Sequence, residues 1–104
     1  MNDNKFIKDY LNDLSKLILP KEEIVKKMIE TKDLFLKIKK NNSKAMIFGN
    51  GGSAAISSHV SVDLTKNAKI RTMNFNEADL ITCFSNDYGY DKWVEKAVEY
   101  YHQE

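Results

Sequence analysis

An apolar run of strand-forming character, Ala45-Met46-Ile47-Phe48, empties into Gly49-Asn50-Gly51-Gly52-Ser53 and then into the small residues Ala54 and Ala55 that open a helix. Such a junction is built to hold an anion. Glycines let the backbone approach a ligand closely, Ser53 can cap the helix that follows, and the free N–H groups of its first turn point at whatever occupies the loop. A phosphate anchored at Gly51, Gly52 and Ser53 is the expected guest. The plain alternative is a tight strand-to-helix turn with no ligand.

Upstream, Phe6, Ile7, Tyr10, Leu11, Leu14, Leu17 and Ile18 recur at helical spacing from about Lys5 to Leu19, and Pro20 stops or redirects the chain. A second helix begins near Lys21, with Glu22 and Glu23 at its positive end, and fades into the polar turn Lys39-Lys40-Asn41-Asn42-Ser43. The nearly two-sided apolar character of Leu34, Phe35 and Leu36 asks for more than one covering surface, and a partner subunit is the natural candidate. Downstream, a helix from Ser53 to about Lys66, a strand over Ile70 to Phe75, and helices over Glu77 to Phe84 and Asp91 to Tyr101 complete the pattern.

This order is that of a doubly wound parallel α/β protein with a helical N-terminal extension. Residues 1–43 read as a helical hairpin for packing and oligomerisation, and 44–104 as the first half of an α/β domain. Two strands are legible, whereas a sheet of this class usually has about five or six. The fold therefore reads as incomplete, either a shortened protein that completes its core by assembly or a fragment of a longer one.

The 16 basic and 15 acidic side chains nearly cancel, so no overall field draws nucleic acid or an anionic membrane to the chain. The cluster Lys37, Lys39, Lys40 and Lys44 reads as a solvated helix end. The single cysteine, Cys83, excludes an internal disulfide; its run Leu80-Ile81-Thr82-Cys83-Phe84 predicts a buried, inert thiol. The first residues carry no export signature, and no apolar run approaches the ~18 residues that span a bilayer, so a cytoplasmic location is expected.

His59 and Asp63 stand four apart on the helix that leaves the glycine loop, hence on one face. An imidazole and a carboxylate so placed can grip one metal ion, or can orient a carboxylate beside a sugar carbon whose proton is removed; they can also form an ordinary helix ion pair. Asn86-Asp87-Tyr88-Gly89-Tyr90 is a second polar cluster, read as a turn. Asn86 and Asp87 can bind ligand hydroxyls, or Asp87 or Asp91 can cap the next helix. Tyr88, Tyr90, Trp93, Tyr100 and Tyr101 read as packing or interface residues, and His102 carries no functional argument.

Taken together, Gly49-Asn50-Gly51-Gly52-Ser53, His59 six residues after the serine, Asp63-Leu64-Thr65, and Ser85-Asn86-Asp87-Tyr88-Gly89-Tyr90 resemble the sugar isomerase (SIS) domain family, and within it the phosphoheptose isomerases. The resemblance covers nearly the whole chain. It implies a parallel sheet between helices, a homo-oligomer (dimer or tetramer) with sites at subunit boundaries, and interconversion of sedoheptulose 7-phosphate with an aldose heptose 7-phosphate for surface polysaccharide. By that resemblance Asn50, Gly51 and Gly52 contact substrate, Asn86 and Asp87 touch the sugar chain, His59 is a zinc ligand, and Asp63 takes the place of the family's glutamate, a metal ligand and base. The family's second serine-rich loop and its late glutamine and histidine have no counterpart here.

Two other functions compete with the isomerase. A noncatalytic sugar-phosphate binder or regulator is one, since some SIS proteins are regulators, including a type that binds the bacterial replication initiator. Nucleotide binding is the other, because Gly49, Gly51 and Ala54 fit the pattern G-x-G-x-x-A. No nucleotide cofactor is expected, as Thr72, Met73 and Asn74 stand where an acidic ribose ligand belongs.

Overall fold

The computed structural model describes residues 2–103, which divide into two compact units, Met1–Lys32 and Asp33–Glu104. In the first, helix α1 spans Asp3–Leu17 and begins earlier than its apolar periodicity predicts, because Asn2 caps it: the Asn2 side chain accepts from the Lys5 N–H at 3.2 Å. The chain leaves the helix before Pro20, and α2 starts at Glu22 and runs to Lys40, crossing the division between the units. Neither helix contains a buried residue. Phe6, Tyr10, Leu14 and Leu17 all stand exposed, Leu17 at 75%.

The second unit holds strand β1 (Ala45–Ile47), α3 (Gly52–Lys66), β2 (Thr72–Asn74), α4 (Ala78–Tyr88), a short 3₁₀ turn over Tyr90–Lys92, and α5 (Trp93–Tyr101). The strands pair in parallel, Ala45 opposite Thr72 and Ile47 opposite Asn74, with α3 as the crossover that parallel pairing requires. Mixed helix and parallel sheet agrees with an α/β class. Both strands are shorter than their apolar runs, because Phe48 and Phe75 leave the ladder and enter the core.

That core is Phe75, Trp93 and Ala97, with Met46, Phe48, Leu80, Ile81, Phe84 and Val94 packed around it. Phe48 stacks on Phe75 at 5.1 Å between ring centres and meets the edge of Trp93 at 6.0 Å. Phe48 and Phe75 directly follow the two strands, so the aromatic cluster fixes where the strands stop. Helix α3 turns a polar face to the interior: Ser57 and Ser61 are buried, and their hydroxyls donate to the Ala54 and Ser57 carbonyls at 2.9 and 2.7 Å. Satisfied within their own helix, these small side chains let α3 lie close to the sheet.

Two cations tie the loops together below the strands. Lys39 Nζ donates to the Ala68 carbonyl at 2.9 Å, and an Arg71 guanidinium N–H donates to the Asn42 carbonyl at 3.1 Å. Lys39 is thus more than a solvated charge. On β2, the Thr65 hydroxyl accepts from the Thr72 N–H at 3.2 Å and donates to the Thr72 carbonyl at 3.3 Å, closing backbone groups at the start of the strand.

Candidate functional site

The glycine loop follows β1 and ends at α3, and each of its glycines has a different reason. A Cβ on Gly49 would lie 2.2 Å from the Ser53 carbonyl oxygen, so nothing larger fits where the loop folds back on the helix. Gly51 has φ 58° and ψ −121°, a backbone conformation that side chains disfavour. Gly52 has neither constraint: its φ is ordinary, and a Cβ there would meet nothing within 4 Å.

Gly51, rather than Ser53, is the residue that caps α3, and no side chain caps this helix. The expectation of a Ser53 cap is corrected because the Ser53 N–H already bonds the Asn50 carbonyl at 3.1 Å and the Ala54 N–H bonds Gly51 at 3.0 Å, drawing Ser53 inside the first turn. Ser53 stands exposed beside the loop. Among the described residues the Gly51 and Gly52 N–H groups have no backbone acceptor, and they are the donors free to meet an anion.

Asn76, which sequence reasoning missed, holds this helix entrance in place. Its amide nitrogen donates to the Ala54 carbonyl at 2.6 Å and lies 2.8 and 3.1 Å from the Ser58 and Ser57 hydroxyls. Its own N–H bonds Asn74 at 3.1 Å, fastening the residue just past β2. The available signal was an asparagine directly after a strand, where a side-chain amide can bridge to a neighbouring helix. β2 thus ends on Asn74, whose side-chain oxygen is already engaged by the Asn76 N–H.

His59 and Asp63 fall together as their spacing predicts, with Nε2 and Oδ2 3.3 Å apart. Both face solvent, at 80% and 52% side-chain exposure. They continue a stripe of α3 through Gly52 and Ile56, and helical rise places Asp63 about 16 Å along the axis from Gly52. Among the described residues no group of three His, Cys, Asp or Glu side chains can hold a metal ion. A tetrahedral zinc takes about four ligands, so the pair by itself does not fit zinc.

Asn86 and Asp87 do not form a turn, and Asp87 does not cap the next helix. They occupy the last turn of α4, which runs past its predicted end to Tyr88 because Gly89, at φ 95° and ψ 144°, supplies the stop. Asn86 donates to Asp87 Oδ1 at 3.1 Å, and the Cys83 thiol meets Asp87 Oδ2 at 3.6 Å. Cys83 is exposed rather than buried, because α4 turns Leu80, Ile81 and Phe84 inward and leaves position 83 outside. The Asp87 charge, reinforced by desolvation and the hydrogen bond, pushes the thiol pKa above its ordinary value.

The two motifs are joined by one contact. Tyr90, just beyond Gly89, donates its hydroxyl to the Asn50 side-chain oxygen at 2.7 Å. Most of the aromatic group packs as predicted: Tyr88 and Tyr100 lie against Phe84, Tyr101 lies against Phe75, and the Tyr88 and Tyr100 hydroxyls meet at 3.1 Å. That last bond raises the Tyr88 pKa.

The chain is related to phosphoheptose isomerases over most of its length. It is 31% identical over 98 residues to the phosphoheptose isomerase of Aliarcobacter butzleri, a match covering 81% of this chain and 52% of that protein. The enzyme of Helicobacter pylori is 29% identical over 105 residues, covering 95% and 55%, and that of Sulfurimonas denitrificans is 26% identical over 104 residues, covering 91% and 53%. The chain spans about half the length of these curated relatives. No family model and no solved structure matches it. No helix among the described residues is long and apolar enough to cross a membrane.

Proposed function

We propose that this chain is the sugar-phosphate-binding half of an SIS-type, cytoplasmic phosphosugar isomerase that interconverts sedoheptulose 7-phosphate and its aldose isomer for surface polysaccharide. The observation that carries the reading is Gly52, a glycine required by neither backbone angle nor packing, beside two amide donors without backbone acceptors. No neighbour occupies the space above this glycine, which leaves a ligand room to approach its amide. The relationship to phosphoheptose isomerases names the ligand class.

In this reading the Gly51 and Gly52 amides, the Asn50 carboxamide and the Ser53 hydroxyl hold oxygens of the open-chain sugar phosphate, and the exposed stripe that continues from the loop carries His59 and Asp63. Asp63 removes the proton from the carbon beside the carbonyl, giving an enediol, and returns it to the neighbouring carbon as the carbonyl moves over. Asn86 and Asp87 meet sugar hydroxyls. A zinc ion, which would polarise the carbonyl, needs ligands beyond His59 and Asp63. The exposed apolar faces of α1 and α2 support assembly with a second copy.

Calorimetry with sedoheptulose 7-phosphate, paired with a ketose-to-aldose assay, tests this. Binding that disappears in Gly52→Val supports the site, and turnover lost in Asp63→Asn supports the base. No binding by the wild-type chain defeats the reading. Binding without turnover selects a noncatalytic sugar-phosphate module instead, a second reading favoured by the outward, mutually paired placement of His59 and Asp63.

A further inference from the structure

We infer that Tyr90 is a positioning residue for the glycine loop: its hydroxyl holds the Asn50 carboxamide oxygen and thereby turns the Asn50 amide hydrogens into fixed donors for the acceptor oxygens of the ligand. The inference rests on the loop being the sugar-phosphate site and adds to it the group that orients that site's side-chain donor.

Gly89 makes the arrangement possible. Its φ of 95° and ψ of 144° belong to a region that glycine alone enters readily, and an added Cβ would meet the Asp91 carboxylate at 2.8 Å. The chain therefore breaks off α4 sharply, and the 3₁₀ turn starting at Tyr90 carries that hydroxyl to Asn50, forty residues earlier in sequence.

Packing does not explain Tyr90. Among the described residues Tyr88, Tyr100 and Tyr101 each contact another ring, whereas Tyr90 makes no ring contact and is 55% exposed. Its side chain is tied to the rest of the unit by the hydroxyl bond, at a length where O–H donation to a carbonyl is strong. A carboxamide has an acceptor end and a donor end; with the oxygen engaged, the two N–H bonds remain. An unheld asparagine would present either end to the ligand. The held one presents donors, which suit phosphoryl and carbonyl oxygens and lower the cost of ordering the side chain on binding.

Two measurements on the full chain, wild type and Tyr90→Phe, decide the matter. The first is the ¹H–¹⁵N spectrum without ligand. Loss of the hydroxyl is expected to shift the Asn50 side-chain amide pair and the Gly51 and Gly52 backbone peaks, with the Trp93 indole peak unmoved as the sign of an intact core. The second is titration with sedoheptulose 7-phosphate, in which Tyr90→Phe is expected to bind about three- to tenfold more weakly, the loss appropriate to one hydrogen bond. Asn50→Asp, which keeps an acceptor for Tyr90 but removes the amide hydrogens, is expected to lose at least as much. If the Asn50, Gly51 and Gly52 peaks are identical in both proteins, the positioning role is overturned, and equal affinity overturns it as well. Failure of the wild-type chain to bind counts against the loop as a sugar-phosphate site, while the ligand-free spectra still decide the contact.

Discussion

The two units of this chain carry similar apolar patterns and use them differently. In Met1–Lys32 the apolar side chains of α1 recur at helical spacing, yet the helix holds no buried residue. In Asp33–Glu104 a sheet of two three-residue strands is enough to organise Phe48, Phe75, Trp93 and Ala97 into a core in which Ala97 is fully buried. The difference teaches that periodicity forms an element while an opposing surface is what buries it. A sheet provides that surface; a helix whose apolar stripe stays in solvent draws little stability from it.

The sharpest way to break this contrast is to remove one large side chain from each unit. Trp93→Ala is expected to destabilise the protein by about 3–5 kcal/mol, the usual cost of emptying an aromatic site in a core, measured by urea denaturation with circular dichroism because the variant has no tryptophan. Leu17→Gln, at a position 75% exposed, is expected to change stability by no more than ~0.5 kcal/mol at high dilution. A Leu17→Gln penalty that grows with protein concentration would show that a second copy covers α1. An equal penalty at every dilution would abolish the distinction between the units.

A second pair sharpens the comparison inside the folded unit, between a glycine the fold needs and one it does not. Gly49→Ala drives a methyl group into the Ser53 carbonyl and is expected to cost about 1–3 kcal/mol by overpacking. Gly52→Ala meets open space and is expected to stabilise α3 by roughly 0.5 kcal/mol while weakening sugar-phosphate binding. Thermal melting of both, with calorimetry of the second, checks them. Should Gly52→Ala bind as wild type does, the loop's openness has no connection with a ligand.

These contrasts also mark what the sequence could tell. The strand, loop and helix around Gly49 to Ser53 were legible because each step has a local cause: β-forming residues, a positive-φ glycine at Gly51, and small residues at a helix start. His59 and Asp63 were legible from the helical period alone. Less accessible was anything set by a distant partner. Ser53 loses the cap to Gly51 because backbone bonds tighten the first turn, and Asn76 matters only once β2 is brought beside α3. Cys83 is exposed although its apolar run predicts burial, because a helix with one inward face must turn some of its positions outward.

Thr65 gives a smaller test of how far the second unit depends on side chains at strand ends. Its hydroxyl satisfies the Thr72 N–H, and Thr65→Val keeps the shape while leaving that donor without its partner. A loss of about 1 kcal/mol is expected, with faster hydrogen exchange at the Thr72 amide. An unchanged exchange rate would mean that water replaces the hydroxyl at no cost, and that β1 pairing alone sustains the strand.

The smallest effect concerns chemistry rather than stability. If the outer face of α4 is open to solvent in the working protein, a neutral alkylating reagent reaches Cys83, and the reaction follows the thiolate fraction. The Asp87 carboxylate beside the thiol raises its pKa, so thiolate is scarce at neutral pH and the rate climbs at higher pH than for an ordinary cysteine. Asp87→Asn removes the negative charge, lowers the Cys83 pKa, and is expected to speed alkylation a few-fold near neutrality with no change in melting temperature. At a pH where both thiols are fully ionised the two rates converge. A Cys83 that resists the reagent at every pH would place a covering surface over α4, and the unit with its own core would then resemble α1 in needing a partner for one face.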